Sequence, residues 1–405
     1  MKILVLDTIH GGKTLAEYLK RAGHVVDTVD VYRGRDGSVS EDEAAGKVYD
    51  LIAAPVHLDP DYRLLNTGTD VISHHEAVAV AASVPEDTLL IEITGARGKT
   101  TTAHALLHLM EKDGCGILHT SKGTVRYPEK DLIFKRSITP ATLVEVLSAA
   151  AGEKECRWII AEESVGVTGL GDLGVLTSGT DYPIANGKKS ALDEKIRLLK
   201  GCKKILLAPG VEADIPGAYY SDDIVVVEDD VCRFGYAGIK GEFSNKLLTV
   251  EGYKEALMTA AAAGCILGKD PSGLGSFSAL EGRLSYSTRD GKGIIDNSNS
   301  GANRKTALTA SAYAHRFSPG QEQVLVIGIE AENICEGFPD DEIAGAISDI
   351  MPYAAVVVSK DPENVRKIIP PGIEFETASS LEEGAEKAMK YGTNRIIILS
   401  VKTWR

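Results

Sequence analysis

The chain lacks paired cysteines, long apolar runs and any surplus of positive charge, and each lack removes a class of protein. Its six cysteines, Cys115, Cys156, Cys202, Cys232, Cys265 and Cys335, form no C-x-x-C pair and match no metal-binding spacing. A zinc or iron–sulfur site is therefore not expected, and the thiols read as buried side chains in a reducing compartment. No stretch reaches the roughly 20 apolar residues of a membrane helix. The opening run Met1-Lys2-Ile3-Leu4-Val5-Leu6-Asp7 is too short for a secretory leader. The expectation is a cytoplasmic protein with no membrane partner. With 44 Lys and Arg against 58 Asp and Glu, the net charge of −14 argues against nucleic acid as a partner. A local basic pocket for phosphates remains compatible with that total.

What is present is an ordinary globular composition, 43% hydrophobic and 25% charged, in 405 residues, enough for two or three domains. Strand-like apolar runs alternate with helical patterns throughout, which predicts parallel α/β sheets. The first strand, Lys2 to Asp7, turns through His10-Gly11-Gly12 into a helix near Lys13 to Arg21, and a second strand follows at Val25 to Val29. Boundaries near Pro85 and within the glycine-rich stretch Gly268 to Gly282, read as a hinge, divide the chain into 1–86, 87–280 and 281–405.

The strongest chemical signal is Thr94-Gly95-Ala96-Arg97-Gly98-Lys99-Thr100-Thr101, placed after a buried strand and before a helix. Glycines there let backbone N–H groups turn around phosphate oxygens, and the helix N-terminus adds its positive end. Lys99 is expected against the terminal phosphates, with the Thr100 hydroxyl on Mg²⁺. The long form G-x-x-x-x-G-K-[ST] fails at its first glycine, where Ile93 stands. A weaker turn, His10-Gly11-Gly12-Lys13-Thr14 with Asp30 ending the second strand, suggests nucleotide binding but lacks G-x-G-x-x-G. Its glycine pair reads as serving a tight turn.

These motifs resemble the Mur ligase superfamily, whose phosphate loop has the shorter form G-T-x-G-K-[ST], with Ala96 here in place of Thr. Over about 88–405, further blocks follow in the superfamily's order: Ser137-Ile138-Thr139-Pro140, Ile160-Ala161-Glu162-Glu163-Ser164, Thr177 to Tyr182, Leu192-Asp193-Glu194-Lys195, Gly282-Arg283 and Asp296-Asn297-Ser298-Asn299. The resemblance implies an α/β, three-domain Mur ligase-like architecture with a central P-loop ATPase domain and Rossmann-like flanking domains. It implies ATP and Mg²⁺ as cofactors and an acyl phosphate made from a substrate carboxylate. Residues 95–101, Arg283 and Asp296 would bind ATP. Thr100, Glu162 and Lys195 would serve the metal, with Lys195 as a carbamate. Lys99 and Lys195 would be the catalytic lysines. Taken singly, Glu162, Lys195 and Asp296 could equally be solvated surface charges.

Three departures bear on the substrate. Tyr182 replaces a metal-binding His, Asn299 replaces the His of D-Y-A-H, and Ser359-Lys360-Asp361-Pro362-Glu363 stands where amino-acid-adding members carry D-N-P-R. Glu363 cannot fork onto an incoming carboxylate as Arg does. Overall likeness within the superfamily points to a methanogen branch acting on a small-molecule carboxylate, a nickel tetrapyrrole. That implies ring closure by an internal carbon nucleophile. The alternatives are an amide ligase adding an amino acid to a cell-wall or polyglutamate-type substrate, and a nucleotide-dependent switch without transfer. His57, His74 and His75 are either contacts for such a ligand or ordinary surface and core histidines.

Overall fold

The computed structural model describes residues 1–403 apart from 154, 300, 331–337, 360–363, 365, 368 and 393. Cys335 and most of the 359–363 departure lie outside the described residues. The chain forms two compact units, Met1–Phe277 and Ser278–Arg405.

The first unit opens with a four-stranded parallel sheet in the order Val25–Val29, Lys2–Leu6, Leu51–Ala54, Val71–Ser73. Ile3 to Leu6 are all buried, as befits a parallel strand covered on both faces. Helix Gly12–Arg21 buries Leu15, Ala16 and Leu19 on one side. Helix His74–Ala81 begins with a capping box between Ser73 and Glu76, which fixes its start. Helix Pro140–Ala151 starts with proline at its first turn, where no N–H partner is lost. These three helices join the small sheet to the larger one through a shared apolar core that includes Ile3, Leu19, Val78, Leu90, Val144 and Ile159.

The larger sheet has eight strands. Its parallel part runs Tyr219–Tyr220, Ile205–Leu207, Leu173–Leu176, Leu89–Thr94, Trp158–Glu162, Gly116–Thr120. The antiparallel strands Gly123–Tyr127 and Asp131–Phe134 complete it. A three-stranded antiparallel sheet, Val225–Glu228, Val231–Tyr236 and Ile239–Ser244, follows. Purely parallel sheets were the expectation. The antiparallel strands are short, and the outer ones Asp131–Phe134 and Ile239–Ser244 are largely exposed, so they lack the continuous buried run of the parallel strands.

The stretch from Gly268 is not one slack connector. The 3₁₀ turn Pro271–Ser276 is held by the buried Asn245, whose Nδ2 donates to Leu274 O at 2.8 Å and Phe277 O at 2.9 Å.

The second unit is built on a six-stranded sheet ordered Ser285–Arg289, Lys292–Asp296, Arg395–Lys402, Glu322–Ile329, Ala354–Val358, Glu374–Ala378. Only its first pair is antiparallel. Helices Arg304–Phe317, Asp340–Ile350 and Leu381–Ala388 flank it, and its core is rich in Val324, Val326, Val356 and Ile397.

Candidate active site

Strand Leu89–Thr94 lies between Leu173–Leu176 and Trp158–Glu162, and the carboxyl ends of all three converge. Such a position in an open α/β sheet is where ligands bind. From the central strand the chain enters Gly95–Gly98 and then helix Lys99–Met110. Gly95 has φ 148° and Gly98 has φ 86°, backbone conformations that side chains rarely adopt. A Cβ on Gly95 would meet Thr177 Oγ1 at 2.2 Å. Thr177 braces the loop from the neighbouring strand, donating to Arg97 O at 2.6 Å. Ser178 Oγ accepts from Ala96 N at 3.0 Å and Arg97 N at 3.3 Å.

The first helical turn presents the reactive side chains. Lys99 Nζ donates to Gly95 O at 2.9 Å and lies 3.9 Å from Glu162 Oε1. Thr100 Oγ1 donates to Glu162 Oε2 at 2.9 Å. Ser121 N donates to the same oxygen at 3.3 Å. Glu162 is 3% exposed, so it is not a solvated surface charge. Hydroxyl and carboxylate oxygens held together are the hard donor set that Mg²⁺ takes. The next residue, Glu163, is also fully buried but sits beside Glu92, with neither oxygen hydrogen-bonded among the described residues. Burial first, and the Glu92 charge second, push its carboxyl well above the usual range.

Lys195, on helix Ala191–Leu199, is fully buried, and its Nζ has no hydrogen-bond partner among the described residues. Burial and the charge of Lys99 lower its pKa to about 8. The nitrogen sits 4.4 Å above the ring of Tyr182, so the residue that departs from the superfamily pattern still faces Lys195. Asp181 Oδ1 accepts from Ser190 Oγ and Leu192 N, each at 2.9 Å, and so fixes the start of that helix. An orphaned amine with a depressed pKa is the chemical form that CO₂ modifies.

Arg283 and Asp296 belong to the second unit. Asp296 ends strand Lys292–Asp296 and accepts from Ser298 N at 2.9 Å. Asn299 Nδ2 donates to Gly282 O at 2.7 Å, bringing the Asp296 loop to the Gly282-Arg283 turn. Sequence reasoning placed Thr177 and Ser178 in the block Thr177 to Tyr182 but gave neither a bracing role, and it did not single out Ser121. The signal for the pair was that block, at the end of a predicted strand. Ser121 carried none.

The weaker glycine turn has a different chemistry. Asp30 accepts from the backbone of Tyr32, Arg33, Arg35 and Asp36. Burial would raise its carboxyl, but those N–H groups outweigh it and the pKa is lowered. That carboxylate is spent on its own loop. The described cysteines are free, and burial raises their thiols.

Fold and site together define an ATP-dependent ligase of the Mur ligase type. Among solved structures, a pseudomurein peptide ligase type C from Methanothermus fervidus matches at TM-score 0.52 and 16% identity, covering 99% of this chain and 97% of that one. MurF ligase from Thermotoga maritima in complex with ADP matches at TM-score 0.51 and 13% identity, over 89% and 87%. The family model described as coenzyme F430 synthetase CfbE, C-terminal domain, matches residues 286–403. Coenzyme F(430) synthetase of Methanosarcina acetivorans is 30% identical over all of this chain and 99% of its own length. The chain belongs to the coenzyme F(430) synthetase family. No described helix is long and apolar enough to cross a membrane.

Proposed function

We propose that this enzyme closes a carbocyclic ring on the nickel tetrapyrrole seco-F(430), giving coenzyme F(430), ADP and phosphate. The reading is carried by full-length likeness to a coenzyme F(430) synthetase, joined to the phosphate loop and the Thr100–Glu162 pair. A propionate oxygen attacks the γ-phosphorus of ATP and ADP leaves. A ring-closing carbon then attacks the acyl carbon, losing its proton, and phosphate leaves. The net change in the tetrapyrrole is the loss of one water.

In this reading residues 95–101 cradle the triphosphate, and Gly95 carries no side chain because Thr177 packs against it to brace the loop. Lys99, whose side chain is 15% exposed, would offset charge on the transferring group. Thr100, Glu162 and a carbamate on Lys195 would hold Mg²⁺, which supplies positive charge between two anions when bound. Arg283 and Asp296 would serve the nucleotide from the second unit. Residues 1–86 would carry the tetrapyrrole, 87–280 the phosphates, and 281–405 the rest of the nucleotide.

The test is to incubate the enzyme with MgATP and seco-F(430), with and without free amino acids, following ADP and product mass. Loss of one water without an added amine supports the cyclase. Gain of a residue mass, dependent on the amine, would instead establish an amide ligase. ADP release indifferent to any carboxylate would leave only a nucleotide switch.

A further inference from the structure

Four histidines, His10, His57, His74 and His75, line one cavity of about 320 Å³ whose other walls include Pro55 and Val165. Two of the four are explained by the fold. His74 Nε2 donates to Leu6 O at 2.8 Å and His75 Nε2 to Ser164 O at 3.0 Å, each tying a helix start to a strand end.

His10 is held in another way. Its Nδ1 lies 2.7 Å from Oδ2 of Asp7, which is fully buried. The other oxygen, Oδ1, accepts from Ile9 N at 2.7 Å and His10 N at 3.2 Å. Both oxygens of Asp7 are therefore engaged, and the pairing assigns the ring proton of His10 to Nδ1. The lone pair falls on Nε2, at the far edge of a side chain that is 47% exposed. A carboxylate that fixes the tautomer and raises the basicity of an imidazole is the usual support of a metal-ligating histidine.

The surroundings fit a flat metal-bearing ligand better than a free ion. Ligand atoms of Asp7, His10 and His57 lie within 4.8 Å of one another, but the Asp7 oxygens are already committed. A free ion would be left with too few donors. A tetrapyrrole brings four equatorial nitrogens and leaves only the axial positions of its nickel open, and imidazole nitrogen suits nickel. Tyr32 and His57 offer flat ring surface beside His10, with centroids 5.3 Å and 4.9 Å from its own. The cavity wall at Ser164 is two residues beyond Glu162, at the end of the strand that holds the Thr100 contact.

We propose that His10 supplies an axial nitrogen to the nickel of the tetrapyrrole substrate, with Asp7 as its positioning residue and the histidine-lined cavity receiving one edge of the macrocycle. The assignment rests on the substrate reading given above.

Visible titration and nickel-edge X-ray absorption of the enzyme with seco-F(430), without ATP, test it. Wild type should add one nitrogen to the nickel shell. His10→Ala should bind about tenfold more weakly and lose that nitrogen, and free imidazole should restore the spectrum. Asp7→Asn should keep the nitrogen but weaken binding by a similar factor. Retention of the axial nitrogen and of full affinity in His10→Ala, in an enzyme that turns over seco-F(430), would overturn the assignment while leaving the cyclase standing. Failure of wild type to bind or convert seco-F(430) would instead sink the substrate reading, and with it this inference.

Discussion

The molecule makes the same local turn twice and gives it two chemistries. Lys2–Leu6 and Leu89–Thr94 are both buried parallel strands, and each leads through a left-handed glycine, Gly11 at φ 96° or Gly98 at φ 86°, into a helix. After the first strand a buried carboxylate, Asp7, occupies the turn and takes its amides. Negative charge there would repel a phosphate. After the second strand no carboxylate intervenes before Lys99, and Glu162 faces the helix from the adjacent strand. On the proposed reading, glycine geometry alone does not make a phosphate site. The sign of the charge placed inside the turn would decide between anion and imidazole chemistry.

The strongest way to break this comparison is to exchange the consequences of the two first-turn lysines. Lys99→Ala should lower the rate of ADP release on the order of 10²–10³-fold with the fold retained. Lys13, 53% exposed and paired only loosely with Asp36 at 3.5 Å, should tolerate alanine with turnover within about twofold. Equal damage from the two changes would mean that the wrong turn had been assigned to phosphate.

Next in size is Lys195→Ala. A bare ammonium beside a divalent cation would repel it, whereas a carbamate would ligate it. The variant should lose roughly 10²-fold in turnover, on the scale of other groups that stabilise the transferring charge. Added acetate or formate should recover part of that loss. Full activity without rescue would remove Lys195 from the metal.

Much of this was legible in the sequence because it depends on order and spacing. The loop Gly95–Thr101 announced itself by glycines between a strand and a helix, and helix Pro140–Ala151 by proline at its first turn. What was not legible depends on neighbours brought together from afar. Ser121 and Thr177 are ordinary residues until the sheet places them beside Glu162 and Gly95. The His10–Asp7 pair was hidden for the opposite reason. The glycine turn masked it, and only the left-handed backbone of Asp7, φ 74°, aims the carboxylate back at the ring. Edge strands such as Ile239–Ser244 escaped because half-exposed pairs carry little apolar pattern.

Glu162→Gln tests the second turn more finely. One formal charge is lost from the metal site, so the Mg²⁺ concentration for half-maximal rate should rise about tenfold, with ATP affinity less affected. Its neighbour supplies the control. Glu163 is packed beside Glu92, and burial and that charge push its carboxyl well above the usual range, so glutamine matches the neutral form those surroundings favour. Glu163→Gln should leave the Mg²⁺ dependence in place. If it were the more damaging change, the strand would present the wrong carboxylate to Thr100.

The smallest effect is one of stability, and it separates the histidine side of the first unit from the phosphate side. His75 is fully buried, and burial is the main reason its pKa falls from 6.5 to about 4. The unfolded chain therefore takes up a proton at a higher pH than the folded one. Stability from this residue is fully present above about pH 6.5 and is lost as pH falls toward 4. At pH 5.5 the loss for one such group is about 1 kcal/mol. His75→Gln can still donate to Ser164 O but cannot ionise, so the gap in Tm between variant and wild type should shift in the variant's favour between pH 7 and pH 5.5. At about 2–4 °C per kcal/mol for a domain of 150–250 residues, that shift is measurable by calorimetry. A gap that stays constant across that range would show that His75 accepts its proton in the folded state as readily as in the unfolded one, against the burial that lowers its pKa.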